Sequence, residues 1–290
     1  MPELPEVEIV KRGLKDLIVG RVASRVQVRD SPKSFPNDPA AVEEFLYGSA
    51  VVDVERRAKV LMINLSSGYY FVINLKMTGQ LVYVDSERGR FGAGHPTDSL
   101  VGRLPDRSTR VDIEFEDGGV LYFNDQRKFG WVKLIPTPEI QFLPFFQKVG
   151  PEPLEPDFTV EVFEGRLSRR RRSSIKAVLL DQSVVAGIGN IYADESLWGA
   201  GVDPRRMPGS LTQDEIKLLH EQIIYVMSLS IEKGGSTDRN YVDARGNKGS
   251  YIDFARVFRK EGTPCQRCGA PVLKMKHAGR GTHYCEICQV

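Results

Sequence analysis

The chain has 290 residues, of which 41% are hydrophobic, and a formal net charge of +2. That length is enough for two domains with separate cores, so we expect two lobes. Apolar runs such as Tyr70 to Leu75 are far shorter than the ~20 residues of a membrane helix, so we expect a soluble globular protein with no membrane partner. The segment Met1 to Glu6 is acidic and lacks the basic and apolar parts of a secretory signal, which favours the cytoplasm.

The small net charge hides an uneven distribution along the chain. From Lys233 onward, basic residues outnumber acidic ones by about two to one, and four arginines run from Arg169 to Arg172. An anionic partner is one interpretation of this excess, and a solvated helix face or loop is the other. Charge alone does not decide between them.

A helix is predicted near the start of the chain, where apolar residues recur at helical spacing between a proline and a glycine. These residues are Pro5, Val7, Val10, Leu14, Leu17 and Gly20. A short helical stretch at 41–46 is followed by strand-like segments. The predicted strands are Val51 to Glu55, Val60 to Leu65, Tyr69 to Leu75, Leu81 to Val84, Val111 to Phe115 and Val120 to Phe123. The pattern predicts a β-sandwich, and the Gly-, Arg- and Pro-rich segment Ser86 to Arg107 predicts a mobile surface loop.

The second half of the chain begins after a series of prolines, which break regular structure and suit a connection between lobes. They are Pro136, Pro138, Pro144, Pro151, Pro153 and Pro156. Helical patterns follow, and they are Val160 to Leu167, Ser174 to Asp181, Ile191 to Trp198 and Thr212 to Ile231, the last with Thr212 as N-cap. We therefore expect an α+β protein. Its parts are a sandwich domain at 1–134, a linker at 135–156, a helical domain at 157–235, and a loop with a cysteine module at 236–290.

Four cysteines near the end of the chain form two Cys-x-x-Cys pairs, Cys265 with Cys268 and Cys285 with Cys288. Two such pairs present four thiolates to one Zn²⁺ in a closed tetrahedron, which predicts a zinc ribbon with a single structural metal ion. Two disulfides or free thiols are the alternative, which a chain without a secretion signal disfavours.

In the segment Gly187 to Ile191, a glycine-containing turn is followed directly by a predicted helix. Free backbone N–H groups and the helix dipole favour a phosphate at such a place. The segment lacks the third glycine and the preceding strand of a dinucleotide site. A plain turn between helices is the alternative.

The start of the chain could also carry chemistry, because proline at position 2 permits removal of Met1 and exposes a secondary amine. An α-amino group has a reference pKa of about 7.7 to 8.0, so a fraction is unprotonated at neutral pH and can attack a sugar carbon to give an iminium ion. Glu3 is a ready proton donor beside it. The alternative is an ordinary helix start, with Pro5 at its first position and glutamates matching the dipole.

Taken together, these segments resemble those of formamidopyrimidine-DNA glycosylases, in the same order and at compatible spacings over the whole chain. The resemblance rests on Pro2 to Glu6, the turn Arg56-Arg57-Ala58-Lys59, Leu75 to Gly79, Asn124 to Gly130, Gly187 to Tyr192 and the zinc ribbon. It implies a monomeric base-excision repair enzyme, glycosylase and AP lyase in one, which removes 8-oxoguanine and formamidopyrimidines from double-stranded DNA. Such an enzyme would work in the cytoplasm, on the nucleoid.

The resemblance implies roles for single residues once the damaged nucleotide is flipped out of the stack. Pro2 attacks C1′, and Glu3 acts as general acid toward the sugar. Lys59 holds a phosphate near the reaction centre, and Glu6 orders the amino-terminal site. The attack gives a Schiff base between Pro2 and C1′. Because this Schiff base makes the C2′ proton acidic, β-elimination and then δ-elimination cleave the DNA strand.

Three further residues are implied to enter the space that the flipped nucleotide leaves, namely Met77, Arg127 and Phe129. Arg127 faces the orphaned cytosine, whose acceptors suit a guanidinium, and Phe129 wedges the stack. Ordinary core packing is the alternative for Met77 and Phe129.

Phosphate contacts are implied for Lys176 and Asn190 in a helix-two-turns-helix unit, and for Arg280 in the zinc ribbon. These contacts position the duplex and do not read its sequence. The segment Ser236 to Tyr251 matches a loop that caps the extruded base.

The chain also departs from the family pattern. Asn74 and Arg110 stand where many relatives carry histidine, and Gln126 stands where many have proline. One rival is an endonuclease VIII-like glycosylase for oxidised pyrimidines, which Leu4 and the segment Arg127 to Gly130 disfavour. Another is a non-catalytic zinc-ribbon DNA-binding protein, in which the chain start is only a helix cap.

Overall fold

The computed structural model describes residues 2–29, 32–86, 89–95, 97–236 and 250–290. The chain divides into two compact units, one of residues 1–147 with 234–250 and the other of residues 148–233 with 251–290. Within the described ranges, no helix combines the length and apolar composition that crossing a bilayer requires. Most of the predicted base-capping segment, residues 237–249, lies outside the described residues.

The first unit begins with helix α1 (Leu4–Ile18), whose buried face matches the predicted apolar spacing. Pro5 occupies its first turn, where the missing N–H costs nothing. Strand β1 (Val22–Val28) follows, and a 3₁₀ turn then leads to helix α2 (Pro39–Leu46). Asp38 caps α2 by accepting the backbone N–H of Ala40.

Eight more strands complete the sheet of the first unit. They are β2 (Ser49–Arg57), β3 (Val60–Leu65), β4 (Tyr69–Asn74), β5 (Gly79–Asp85), β6 (Gly89–Gly94), β7 (Thr109–Phe115), β8 (Val120–Asp125) and β9 (Trp131–Pro136). Neighbours are antiparallel in the order β6-β5-β8-β7-β1-β2-β3-β4-β9. Between β1 and β2 the register covers only Val22↔Ala50 and Ala23↔Ser49. Side chains from both halves of the sheet and from α1 form one apolar core, which confirms the predicted sandwich.

The prediction of a mobile loop at Ser86 to Arg107 was wrong for much of that segment. Strand β6 pairs with β5 along its whole length, from Asp85↔Gly89 to Gln80↔Gly94, and a 3₁₀ turn follows at Asp98–Leu100. Three of the glycines that suggested a loop, Gly92, Gly94 and Gly102, lie where another part of the backbone approaches closely, which is a recognised use of glycine. Strands β1 and β9 were also not predicted.

The second unit is helical, as predicted, and ends in a two-stranded hairpin. After a 3₁₀ turn at Thr137–Phe142 and helix α3 (Pro144–Lys148), its elements follow in chain order. They are α4 (Val160–Leu167), α5 (Ile175–Leu180), α6 (Asn190–Ala200), α7 (Gln213–Glu232), α8 (Tyr251–Phe254), β10 (Leu273–His277) and β11 (Arg280–Tyr284). Thr212 caps α7 in a reciprocal capping box with Glu215, which confirms the predicted N-cap. The fold class is therefore α+β, with a β-rich first part and a helical second part that ends in a two-stranded hairpin.

One close contact in the first unit yields a stability prediction. A Cβ added to Gly13 on α1 would lie 2.2 Å from the buried Phe91 ring of β6, so alanine there overpacks the core. We expect Gly13→Ala to lower the free energy of unfolding by about 1 to 3 kcal/mol, although alanine is the better helix former. Urea denaturation followed by the fluorescence of Trp131, which lies in the same unit, measures this.

The control is Gly165→Ala on α4 of the second unit, where nothing lies within 4 Å of the added Cβ, and its unfolding is followed through Trp198 of that unit. That change should stabilise the protein by about 0.5 to 1 kcal/mol through helix propensity alone. A stabilising Gly13→Ala would contradict the close packing of β6 on α1.

Candidate active site

The start of α1 is held inside the first unit. Pro2 and Glu3 are both buried, and Glu3 is the N-cap residue of the helix. The Glu6 carboxylate accepts the backbone N–H of Glu3 at 2.8 Å. Its other oxygen accepts the backbone N–H and the hydroxyl of Ser236 at 2.9 and 2.7 Å. The candidate nucleophile therefore sits on a fixed piece of backbone, and Glu6 is placed to order it.

Lys59 lies in the two-residue connection between β2 and β3, after Ala58, whose φ is 51°. The Arg56 guanidinium donates to the Ala58 carbonyl and to the Glu8 carboxylate of α1, both at 3.0 Å. Burial raises the pKa of Glu8, but hydrogen bonds from three cations, Arg56 among them, outweigh it and leave the pKa below its ordinary value. An ionised Glu8 thus ties the helix of the nucleophile to the turn that carries Lys59.

Met77, Arg127 and Phe129 come together on the surface of the first unit. The Arg127 Nη1 lies 3.0 Å from the Met77 sulfur, and its guanidinium lies 5.0 Å from the centre of the Phe129 ring. Met77 is 38% exposed and Phe129 56% exposed. Because both side chains are exposed to this extent, neither Met77 nor Phe129 is an ordinary core residue.

The segment that carries Arg127 and Phe129 is shaped by Asp125, a residue that the sequence analysis did not single out. Asp125 is fully buried, and one carboxylate oxygen accepts the Thr78 hydroxyl and the Arg127 backbone N–H. The other oxygen accepts the Gly130 backbone N–H at 2.7 Å. The buried Arg110 donates its Nε to the Asp125 carbonyl at 2.7 Å. An aspartate that accepts backbone N–H groups farther along is a known turn signal, which could have marked it.

Asn74 and Gln126, the other two departures from the family pattern, have different surroundings in the structure. The Asn74 side chain accepts the Lys76 backbone N–H at 3.0 Å, and Lys76 adopts a positive φ of 49°. The Gly79 N–H closes the same turn on the Leu75 carbonyl at 2.8 Å. Asn74 therefore shapes the turn that presents Met77, whereas Gln126 is simply exposed.

In the second unit, the four cysteine sulfurs all lie within 4.8 Å of one another. Cys265 and Cys288 are 3.9 Å apart, and Cys268 and Cys285 are 3.5 Å apart, so no disulfide joins them. Four thiols at such distances, with no open position, suit one tetrahedral metal ion. These cysteines hold a single structural zinc ion.

Asn190 and Arg280 lie near each other at the β10–β11 hairpin. The Asn190 side-chain amide, in the first residue of α6, donates to the Gly281 carbonyl at 2.9 Å. Arg280 is exposed at the start of β11. The hairpin turn of Ala278 and Gly279 has positive φ at both residues, the geometry of a tight two-residue hairpin.

Lys176 has a different environment from the one its implied role requires. Its side chain has no exposed surface, and its amine donates to Asp194 and to the Thr282 hydroxyl, each at 2.6 Å. The second Asp194 oxygen accepts the His283 backbone N–H at 2.9 Å. Lys176 and Asp194 thus hold the hairpin onto α5 and α6, and the lysine amine is enclosed by protein atoms.

The next residue on α6, Glu195, is a second buried acid that the sequence analysis missed. Its carboxylate accepts the backbone N–H groups of Arg256, Val257 and Phe258 at 2.8 to 2.9 Å. Burial raises the pKa of Glu195, and these three hydrogen bonds oppose the rise. The sequence did carry a signal for this residue, because Asp194 and Glu195 form an acidic pair in the middle of a mostly apolar helix.

The buried Pro2 and Glu3 before α1, the exposed Met-Arg-Phe cluster and the helical unit with its four-cysteine site together define a DNA glycosylase of the helix-two-turns-helix class. The chain belongs to the formamidopyrimidine-DNA glycosylase family. Family models match residues 1–132 as the "Formamidopyrimidine-DNA glycosylase N-terminal domain", residues 149–241 as the "Formamidopyrimidine-DNA glycosylase H2TH domain" and residues 262–290 as the "Zinc finger found in FPG and IleRS".

Individual relatives agree over the whole length. The formamidopyrimidine-DNA glycosylase of Pediococcus pentosaceus is 40% identical over 290 residues, covering 100% of this chain and 99% of the relative. A solved Lactococcus lactis Fpg bound to Fapy-dG-containing DNA superposes with a TM-score of 0.86 at 34% identity, covering 99% of each chain. The MutM (FPG) protein of Thermus thermophilus gives a TM-score of 0.84 at 35% identity, covering 99% of this chain and 98% of that one.

The buried ion pair yields a prediction for the second unit. Lys176→Met removes the cation and leaves Asp194 buried without its charge partner, so we expect a loss of about 3 to 5 kcal/mol in the free energy of unfolding. Urea denaturation followed by Trp198 fluorescence in a Trp131→Phe background measures this unit. Lys217→Met, an exposed lysine on α7, is the control and should change stability by less than about 0.5 kcal/mol. Equal effects of the two changes would contradict the assigned role.

Proposed function

We propose that this chain excises oxidised purines, chiefly 8-oxoguanine and formamidopyrimidines, from duplex DNA and then cleaves the strand at the abasic site. It is a base-excision repair glycosylase by family. Solved relatives are complexes with DNA that contains Fapy-dG or an abasic site, which supports this class of substrate. The observation that carries the proposal is the buried Pro2-Glu3 start of α1, held by Glu6.

The reaction begins with the Pro2 amine, which removal of Met1 would free. Its lone pair forms a bond to C1′ while the bond from C1′ to the damaged base breaks. The proline nitrogen then loses its proton, and the C1′–O4′ bond of the sugar breaks as Glu3 donates a proton to O4′, which leaves an iminium ion between Pro2 and C1′. The resulting iminium makes the C2′ proton acidic. Loss of that proton expels the 3′ phosphate by β-elimination, and δ-elimination then expels the 5′ phosphate.

Lys59 supports this chemistry by holding a phosphate beside the sugar. It stands on a hairpin that the ionised Glu8 ties to α1 through Arg56, so a bound phosphate and the Pro2 amine would keep a constant separation. Pre-positioning of this kind lowers the entropic part of the barrier. Glu6 supports the site through the backbone of Glu3, whose N–H it accepts.

When the damaged nucleotide flips out of the duplex, protein side chains must fill the space that it leaves in the base stack. Arg127, stacked on Phe129 and in contact with Met77, forms a pre-assembled group for this purpose. Arg127 would hydrogen-bond the orphaned cytosine, and Phe129 would wedge between neighbouring bases. Unstacking costs a few kcal/mol, which these contacts offset.

In the second unit, Asn190 and Arg280 would contact phosphates, with the amino terminus of α6 adding favourable backbone N–H groups. Lys176 has a positioning role in this proposal, because its amine is committed to Asp194 and Thr282. The zinc ion keeps the hairpin folded and takes no part in the chemistry. The site of action is the nucleoid in the cytoplasm.

Covalent trapping tests the proposed nucleophile. Borohydride should reduce the iminium and give a stable complex between the protein and a duplex with 8-oxoguanine opposite cytosine, resolved by gel electrophoresis. Pro2→Gly replaces the secondary amine by a primary one on a more flexible backbone, and we expect at least a tenfold loss of trapped product.

Intact-mass measurement must first establish that Met1 is absent from both proteins. A duplex with a preformed abasic site is the second substrate, because trapping there requires the amine but no base excision. No adduct with either duplex from protein lacking Met1 would overturn the proposed chemistry.

Arg280→Ala tests the proposed phosphate contact in the hairpin. Removing one phosphate contact should weaken binding to any duplex and reduce the slope of log K against log salt concentration by about one. Fluorescence anisotropy over a series of salt concentrations measures both quantities. Lys217→Ala, which removes an exposed cation outside the proposed contacts, should leave the slope unchanged. Equal slopes for Arg280→Ala and wild type would remove Arg280 from the interface.

A further inference from the structure

Helix α6 contacts the zinc-binding part of the second unit at more than one place. Asn190 and Asp194, in its first half, hold the β10–β11 hairpin. Trp198, near its end, donates its indole N–H to the Cys265 sulfur across 3.4 Å. The helix therefore reaches a zinc ligand directly, through a side chain that the Cys-x-x-Cys motif does not contain.

The indole N–H and the Cys265 sulfur are both shielded from solvent. Trp198 is 6% exposed and Cys265 is 3% exposed, and both belong to a small apolar cluster with Val257, Val272 and Cys285. A zinc-bound thiolate is a charged acceptor, and hydrogen bonds to charged groups are strongest where water does not compete for them. The contact is thus a buried, charge-assisted hydrogen bond to a metal ligand.

The two buried cysteines, Cys265 and Cys285, differ in the donors that reach their sulfurs. Each accepts two backbone N–H groups from the turn of its own Cys-x-x-Cys pair. Among the residues that the structure describes, Cys265 alone also accepts a side-chain N–H, and it comes from a separate helix. Any effect of that extra donor should therefore appear at Cys265 and not at Cys285.

Two arginines fix the plane of the indole ring. The guanidinium of Arg267, which lies between the two cysteines of the first pair, is 4.4 Å from the centre of the Trp198 ring, and that of Arg256 is 5.1 Å from it. Arg267 also donates to the Gly199 carbonyl at 3.1 Å, and the Arg256 backbone N–H donates to the buried Glu195 at 2.8 Å. The indole therefore has little freedom to turn its N–H away from the sulfur.

A hydrogen bond to a metal-bound thiolate changes the chemistry of the sulfur. The donor draws electron density from the sulfur lone pairs, so the sulfur attacks electrophiles more slowly. The same donor orients the ligand toward the metal ion, and this contact must also break when the ligand leaves. Both effects oppose the loss of the metal ion.

We propose that Trp198 is a positioning residue of the zinc centre, whose N–H holds the Cys265 thiolate toward the metal ion and lowers the reactivity of this sulfur toward electrophiles. Arg256 and Arg267 act through Trp198 by holding its ring. The metal site keeps its ion longer as a result. The inference concerns the metal site alone, so it stands whether or not Pro2 is the nucleophile.

Replacement of Trp198 by benzothienylalanine tests the role of the N–H, because a sulfur atom takes the place of the indole N–H while both fused rings are kept. The analogue is introduced by codon suppression into the full-length, zinc-loaded protein, and Trp198→Phe is the second variant. Iodoacetamide then forms a carbon–sulfur bond at each reactive thiolate with loss of iodide. Peptide mass spectrometry gives a separate rate for each cysteine.

We expect the alkylation rate at Cys265 to rise about tenfold in both variants, the effect of one hydrogen bond to a charged group, and the rate at Cys285 to change by less than about twofold. Equal increases at all four cysteines would mean that the metal site merely opens more often, and they would overturn the proposal. An unchanged rate at Cys265 in the benzothienylalanine variant would overturn it as well.

Cobalt substitution gives a second readout, which a purely structural role of Trp198 would not move. Co²⁺ in place of Zn²⁺ shows sulfur-to-metal charge-transfer absorption, whose energy falls as electron density on the thiolates rises. Loss of the N–H in the benzothienylalanine variant should shift this band to longer wavelength, and an unshifted band would contradict the proposal. Transfer of zinc from the same variant to a chelating dye should be about tenfold faster than from wild type, and an equal rate would count against the role in metal retention.

Trp131→Phe is the matched control, because it removes the other tryptophan of the chain, which belongs to the first unit and lies beside Lys133. This change should leave the alkylation rates, the cobalt absorption and the zinc transfer as in wild type. If Trp131→Phe produced the same changes as the Trp198 variants, they could not come from the hydrogen bond to Cys265, and the proposal would fall.

Discussion

The proposed reaction centre depends on one constraint, which is that its proposed nucleophile, the Pro2 amine, would be a terminal amine once Met1 is removed. A side-chain nucleophile is held at its Cα from both directions, whereas a terminal amine has neighbours on one side only. The structure compensates by burying Pro2 and Glu3, by the hydrogen bond from the Glu3 N–H to Glu6, and by packing α1 into the sandwich core. Glu6 also accepts two bonds from Ser236. Without these contacts the first residues would fray, as chain termini ordinarily do.

Buried carboxylates also fix the backbone at the Arg127 turn and at the β10–β11 hairpin, each of which carries an exposed residue. Asp125 holds the Arg127 turn through Thr78 and two backbone N–H groups. In the second unit, Asp194 holds the hairpin through Lys176 and the His283 N–H. A buried carboxylate without such partners would be costly, so each one specifies a single arrangement of the segment around it. The exposed residues can then be long and flexible while their backbone is not.

Among the residues to which the family resemblance assigns roles, Lys176 is the one whose surroundings differ most from what its role requires. Its position in the sequence motif suggested a phosphate contact, but its amine is enclosed with Asp194 and Thr282 and has no exposed surface. A lysine in an ion pair that is fully buried contributes to the shape of a surface without being part of it. Segment 86–107 is the reverse case, because its composition suggested a mobile loop, whereas its residues Gly89–Gly94 pair with β5 as a strand of the sheet.

The sequence alone determined the features that depend on residue chemistry and on short-range periodicity. The cysteine spacing implied the zinc site, the apolar spacing implied α1 and α7, and alternation implied most strands of the sandwich. Tertiary structure alone decided which exposed residues meet, as with Met77 and Arg127, fifty positions apart. It also decided the roles of Asp125, Glu195 and Gly94, because a buried acid or a close backbone approach is defined by neighbours distant in sequence. Long-range contacts of this kind leave no periodic trace in the residues that make them.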